Sequence, residues 1–234
     1  MAKIIVSYDD TDNDRDALAL GRVLGELDGE ISLAYVRHTQ QPDQAREALE
    51  EKDADELLAH GAQALGDEKI ERHVIVHAST GAGLWELAES ERADVIVFGS
   101  DYRTAEGAVL PGTSAQRLLT GGPVAVAVAP AGFRNQSAEI KTIGVLAEED
   151  GDDAAINTAK NLADALGATV ADRHQGADLL VVGSSPASPK GHVNLSARAG
   201  YAIETANTPV IAVARGTEVR FGKPSLVRRV AAKV

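Results

Sequence analysis

The sequence predicts an α/β fold, an open and doubly wound parallel sheet built from two tandem copies of one unit that together form a pseudo-dimer. Three observations carry this expectation. Apolar runs rich in β-branched residues alternate strictly with segments of helical spacing. Two signature stretches of the first half return in the second. The length, 234 residues, suffices for one large domain or two small ones that each bury a core.

In the first half the strand-like runs cover 3–8, 31–36, 73–77, 94–98 and 124–128. Between them lie helical patterns: Ala17, Leu20, Val23, Leu24 and Leu27; then Ala54, Leu57, Leu58, Gly61 and Leu65. Leu84, Leu87 and Ala88 mark a third helix, and Ala115, Leu118 and Leu119 a fourth. Strand and helix in strict alternation imply parallel pairing, because parallel neighbours need a crossover between them. Right-handed crossovers then wind the sheet in both directions.

The second half repeats the pattern in miniature. Strands are expected at 141–147, 168–171, 179–182 and 210–214. One helix carries Ala155, Ile156, Ala159, Leu162, Ala163 and Leu166, and another spans about 196–205. The repeat is explicit: ADVIVFGS at 93–100 matches ADLLVVGS at 177–184, and PVAVAV at 123–128 matches PVIAVA at 209–214. The second copy is shorter, with one helix and one strand expected to be missing after residue 171. The expected division is a full unit at 1–130, a polar linker near 133–139, a shortened unit at 140–215 and a basic tail at 216–234. That tail reads as a docked or frayed terminus, or as an arm for an acidic partner or a membrane surface.

Composition narrows the function. Hydrophobic residues make up 44% and charged residues 25%, as in a globular protein. Aromatics are 3%, so the core rests on Ala, Val, Leu and Ile. There is no cysteine, which excludes disulfides, thiolate metal sites and a Cys nucleophile. The first half holds 11 Lys and Arg against 24 Asp and Glu, and repels a phosphate backbone. No nucleic-acid partner is therefore expected. No apolar run approaches the roughly 20 residues that cross a bilayer, and no signal peptide is evident, so no membrane partner and a cytoplasmic location are expected.

Two segments can carry chemistry. The first strand ends in Asp9-Asp10-Thr11-Asp12-Asn13-Asp14, at the carboxyl end where open parallel sheets bind ligands. A carboxylate there can accept hydrogen bonds from a base amine or a ribose hydroxyl. Helix capping by Thr11 or Asp12 also explains the acidic turn. A cation reading of Asp9, Asp10, Asp12 and Asp14 lacks the loop pattern of a calcium hand, and no metal site is assigned. The second segment runs from Gly99 to Ser114. Gly112 allows close approach of a ligand, and Thr113 and Ser114 offer hydroxyl and N–H donors at a helix start.

Taken together, these segments resemble the universal stress protein family. Members have a strand ending in Asp, followed by Gly-Ser and, eight residues beyond the Asp, Ala-Leu; here Asp9 precedes Ala17-Leu18 at that spacing, with Asp10-Thr11 replacing Gly-Ser. Nucleotide-binding members carry Gly-x2-Gly-x9-Gly-Ser/Thr; here Gly99, Tyr102, Gly112 and Thr113 occupy those positions, with Tyr102 in place of the second glycine. The resemblance covers about 2–130 and, more weakly, 140–215. It implies ATP or another adenine nucleotide, with Mg²⁺, held by Asp9, the backbone at Val36, and Gly99, Tyr102, Gly112, Thr113 and Ser114. The matching positions of the second copy are Gly183, Pro186, Ser196 and Ala197, with Glu148 near the place of Asp9. They predict a half without a nucleotide site.

The expected function is regulatory nucleotide binding with little or no turnover, and no catalytic residue is assigned. A nucleotide-free interaction module with its site closed by Tyr102 is the first alternative. A small-molecule hydrolase or transferase using the Asp9 cluster is the second. No P-loop, dinucleotide loop or nucleophile elbow is present. His38 and His77 fall at strand ends and could line the crevice, while Trp85 reads as core or interface. The resemblance to the family implies association through the strand at 124–128, an exposed edge that needs covering; in a tandem chain the strand at 210–214 could pair with it internally, and a homo-oligomer of the whole chain is also expected.

Overall fold

A computed structural model describes residues 1–136, 139–148, 153–171 and 176–223. Its strands are β1 (Ala2–Ser7), β2 (Gly29–Arg37), β3 (Glu71–Val76), β4 (Val95–Gly99), β5 (Ala125–Ala129), β6 (Thr142–Leu146), β7 (Thr169–Ala171), β8 (Leu179–Gly183) and β9 (Val210–Val213). Its α-helices are α1 (Asp12–Gly25), α2 (Gln44–Leu65), α3 (Thr80–Glu91), α4 (Thr113–Leu119), α5 (Ala154–Leu166) and α6 (Ala197–Glu204). Each strand expected from the sequence is present, within two residues at either end.

All nine strands form one sheet in the order β3-β2-β1-β4-β5-β9-β8-β6-β7. Every neighbouring pair is parallel except β5 with β9, which run antiparallel with Ala127 opposite Ile211. The order β2-β1-β4-β5 on one side is mirrored by β7-β6-β8-β9 on the other. The edge of β5 is thus covered from within the chain.

The repeat extends to individual hydrogen bonds. Asp94 Oδ2 accepts from the Lys3 N–H (2.7 Å), and Asp178 Oδ2 accepts from the Lys141 N–H (2.9 Å). The buried Ser100 hydroxyl donates to Ala129 O and the buried Ser184 hydroxyl to Val213 O, both at 2.7 Å. Val109 N–H reaches Ala206 O (3.2 Å), and Val193 N–H reaches Gly122 O (2.7 Å), so each half's loop is stitched to the other. Burial opposes ionisation of Asp178, but hydrogen bonds from Lys141 and Thr142 outweigh it and hold its carboxyl below the usual range.

One expectation needs correction. Seven residues separate β7 from β8, whereas α2, β3 and α3 lie between β2 and β4. Among the described residues of the second half, counterparts of two helices and a strand are therefore absent, not of one helix and one strand. No helical periodicity in that half marks the absence of the second helix, so only its length reveals it.

Alternating side chains feed two apolar layers, one on each face of the sheet. One layer joins Ile4, Val97, Ala127, Ile211, Val181 and Ile143 under α1, α2 and α5. The other joins Ile5, Ile96, Val126, Val210 and Val182 under α3, α4 and α6. Both run unbroken across the β5–β9 junction. Trp85 lies 6.2 Å from the His192 ring, so it belongs to the contact between halves.

The first residues of the basic tail dock. Val219 is buried and its N–H donates to Thr158 Oγ1 (3.0 Å) on α5, the Phe221 N–H donates to Asn161, and the Gly222 N–H donates to Leu27 O (2.8 Å) just beyond α1. Arg220 pairs with Glu218 at 2.5 Å. Arg228, Arg229 and Lys233 lie outside the described residues.

Candidate functional site

The chain winds outward from β1 through β2 to β3, and in the other direction through β4 to β5. The winding reverses between β1 and β4, which is where open α/β sheets form their crevice. Asp9 leaves β1 on one side of that reversal and Gly99 closes β4 on the other. The two loops are tied together: Asn13 Nδ2 donates to Ser100 O at 2.7 Å.

Asp9 is exposed, and its N–H donates to Asp14 Oδ2 (3.1 Å). The same oxygen accepts from the Thr11 N–H (3.1 Å) and the Thr11 hydroxyl (2.6 Å), which caps α1. Burial, followed by the hydrogen bond and charge of Asp9, pushes the Asp14 carboxyl up to about 7. Tyr8 donates its hydroxyl to Asp10 Oδ1 (2.6 Å); burial and the Asp10 carboxylate push the Tyr8 phenol well above its usual range. Asp10 adopts φ 62°, a left-handed conformation that a glycine takes without strain and that Asp tolerates.

Val36 occupies a distinctive place on β2. The pairing with β1 ends where Tyr8 N–H donates to Ala34 O (3.0 Å). Residues two apart direct their backbone groups to the same side of a strand, so the Val36 backbone lies just beyond the last rung with β1.

The loop glycines do different work. A Cβ on Gly99 would lie 2.0 Å from Asn13 O, so this glycine makes room for the first turn of α1. A Cβ on Gly112 would meet nothing within 4 Å, and Gly112 sits at φ −69°, so its environment is open space. Thr113 and Ser114 follow at the start of α4.

Tyr102 lies at the surface beside the turn that follows β1. Its ring is 76% exposed, lies 4.8 Å from the Arg103 guanidinium carbon, and lines a cavity of about 440 Å³ with Thr11, Asn13, Glu106, Gly132 and Arg134. Asp9, Val36, Gly99 and Gly112 do not line that cavity.

The second half is built differently at the same place. The matched bonds of Lys3 and Lys141 set Ala147 opposite Asp9 and Glu148 opposite Asp10. Ser196, opposite Gly112, donates its hydroxyl to Glu148 Oε1 and caps α6 by accepting from the Ala199 N–H (3.1 Å). A side-chain bridge therefore spans in the second half what stays open beside Gly112 in the first.

Comparison with known proteins agrees with this architecture. The model of the family described as "Universal stress protein family" matches residues 1–130. The chain belongs to that family. Universal stress proteins of Mycobacterium bovis and Mycobacterium tuberculosis are 38% identical to it over 66 residues. Those matches cover 28% of this chain and only 23% of the relatives' length. Among solved structures, a universal stress protein from Archaeoglobus fulgidus superposes with a TM-score of 0.61 at 18% identity, covering 92% of this chain and 98% of that one. A functionally unknown protein from Pseudomonas aeruginosa gives a TM-score of 0.62 at 12% identity, covering 92% and 93%. These two likenesses concern the fold.

In this universal stress protein, the histidines named from the sequence serve local contacts. His77 Nδ1 accepts from the Ser79 N–H (3.0 Å), and His38 Nε2 lies 3.5 Å from Thr80 Oγ1. Sequence reasoning missed Asp16 and Arg37, both charged and buried. Asp16 stands directly before the apolar Ala17-Leu18 pair, and Arg37 closes an apolar strand. A charge at the edge of a buried run was the available signal. Among the described residues no group of three or more His, Asp or Glu is arranged to hold a metal, and no helix is long and apolar enough to cross a membrane.

Proposed function

We propose that the first half, residues 1–130, binds ATP or a related adenine nucleotide as a regulatory ligand, with little or no turnover. The observation that carries the reading is the contrast at one equivalent position. Gly112 faces open space, whereas Ser196 is bonded to Glu148. In this reading Asp9 and the Val36 backbone take the adenosine part. Gly112, Thr113 and Ser114 take the phosphates, Gly99 holds the two loops in register, and Tyr102 stands at the rim. The hydroxyls of Thr113 and Ser114 suit a phosphate-bound Mg²⁺, which enters only with the nucleotide.

Residues 140–215 then act as a degenerate second unit that covers the β5 edge, and 216–234 as a strap. A location in the cytoplasm and the absence of a nucleic-acid partner fit the acidic first half. Because the β5 edge is already paired, any association of whole chains uses another surface. Calorimetric titration of Mg-ATP into the wild type and Tyr102→Gly tests the reading. Binding of one nucleotide per wild-type chain supports it. Binding by Tyr102→Gly alone favours an interaction module without nucleotide, and binding by neither ends it.

A further inference from the structure

Arg37 closes β2 and is only 5% exposed. Its Nη2 donates to Glu47 Oε1 at 2.5 Å and lies 3.9 Å from Glu50 Oε2. Its Nε and Nη1 have no hydrogen-bond partner. A guanidinium offers five N–H donors, and leaving buried ones unmatched is costly. Hydrogen bonds from the Gln41 N–H and from Arg37 hold the Glu47 carboxyl below its usual range, so the Arg37–Glu47 pair is charged at neutral pH.

Beside Arg37 opens a cavity of about 320 Å³ between the end of β2 and α2, lined by Tyr35, Arg37, His38, Thr39, Glu50 and Asp53, with Ala54 and Leu57 as its apolar wall. That size lies at the lower end of small-molecule sites. Asp53 is exposed and its carboxylate has no hydrogen-bond or ion-pair partner among the described residues. Glu47, Glu50 and Asp53 outnumber Arg37, so a phosphate or other simple anion enters against the local field. A simple cation leaves the Arg37 donors bare. A ligand with an anionic and a cationic end satisfies both.

We propose that this cavity binds a small zwitterion of the α-amino acid class, its carboxylate on Arg37 Nε and Nη1 and its ammonium on Asp53 and Glu50. The site lies on the α2 side of β2, whereas Val36 faces the layer under α3 and α4. It does not depend on the nucleotide reading.

The test is calorimetric titration of the full chain, without nucleotide, using each proteinogenic amino acid, with acetate and methylammonium as single-charge probes. At least one amino acid is expected to bind with Kd below about 1 mM, and both probes at least about tenfold more weakly. Asp53→Asn, on an exposed position that keeps the fold, weakens binding about tenfold. Arg37→Gln abolishes binding; should that variant fail to fold, Asp53→Asn decides. Asp9→Ala leaves the affinity unchanged. The proposal is overturned if no amino acid binds, if acetate binds as tightly, if Asp53→Asn has no effect, or if a crystal structure grown with the tightest binder shows only water on Arg37.

Discussion

Asp16 on α1 and Arg134 in the segment after β5 form a clasp whose carboxylate is buried and whose guanidinium reaches the surface. The fully buried Asp16 carboxylate accepts from the Gly132 N–H (2.8 Å) and the Arg134 N–H (2.9 Å), and lies 3.2 Å from the Arg134 guanidinium. The chain leaves the first half through this clasp, next to the Asp9–Asn13 turn.

Removing that acceptor leaves two backbone donors unmatched and takes one ion-pair partner from Arg134, whose guanidinium keeps its contacts with Asp12. Asp16→Ala is expected to destabilise the protein by about 3 kcal/mol or more. Urea denaturation measures this, and a loss within the range of an ordinary surface substitution counts against the clasp.

Asp14 makes stability depend on pH. Its folded carboxyl sits at about 7, above the roughly 4 of an unfolded chain. The folded state therefore binds the proton more tightly. The Asp14 contribution is full below about pH 4, declines as pH rises toward about 7, and then levels. Thermal unfolding from about pH 5 to pH 8 should show a decline in the wild type that is flattened in Asp14→Asn; equal slopes would contradict it.

The β5–β9 junction gives a prediction about the halves. A fragment of residues 1–136 exposes β5, an edge of Ala125, Val126, Ala127, Val128 and Ala129. Such an edge recruits another strand. The fragment should sediment as a dimer or larger species, and a stable monomer would show that β9 is not a required cover.

The Glu148–Ser196 bridge should appear as coupling. In a double-mutant cycle with Glu148→Ala and Ser196→Gly, an interaction energy of about 1 kcal/mol or more is expected. Additive effects would mean that the bridge contributes nothing to closing the second half.

Much of this was legible from spacing. β-branched runs marked all nine strands, the inner ones because they are largely buried and the edge strands β3 and β7 although they are half-buried or exposed, and the pair of Gly-Ser strand ends at 99–100 and 183–184 announced the repeat. The Tyr102 ring was not legible, since its direction depends on how its loop leaves β4. The Asp16 clasp was hidden because its partners are backbone groups 116 and 118 residues away. The Glu148–Ser196 bridge was hidden for a similar reason: Ser196 reads as a helix cap, which it also is.

The most direct test of nucleotide binding is a crystal structure of the full chain grown with Mg-ATP. Nucleotide is expected in the first half alone, between Asp9, the Val36 backbone and Gly112–Ser114, with Glu148 still bonded to Ser196. An empty first crevice at saturating nucleotide, or nucleotide in the second half, would contradict it.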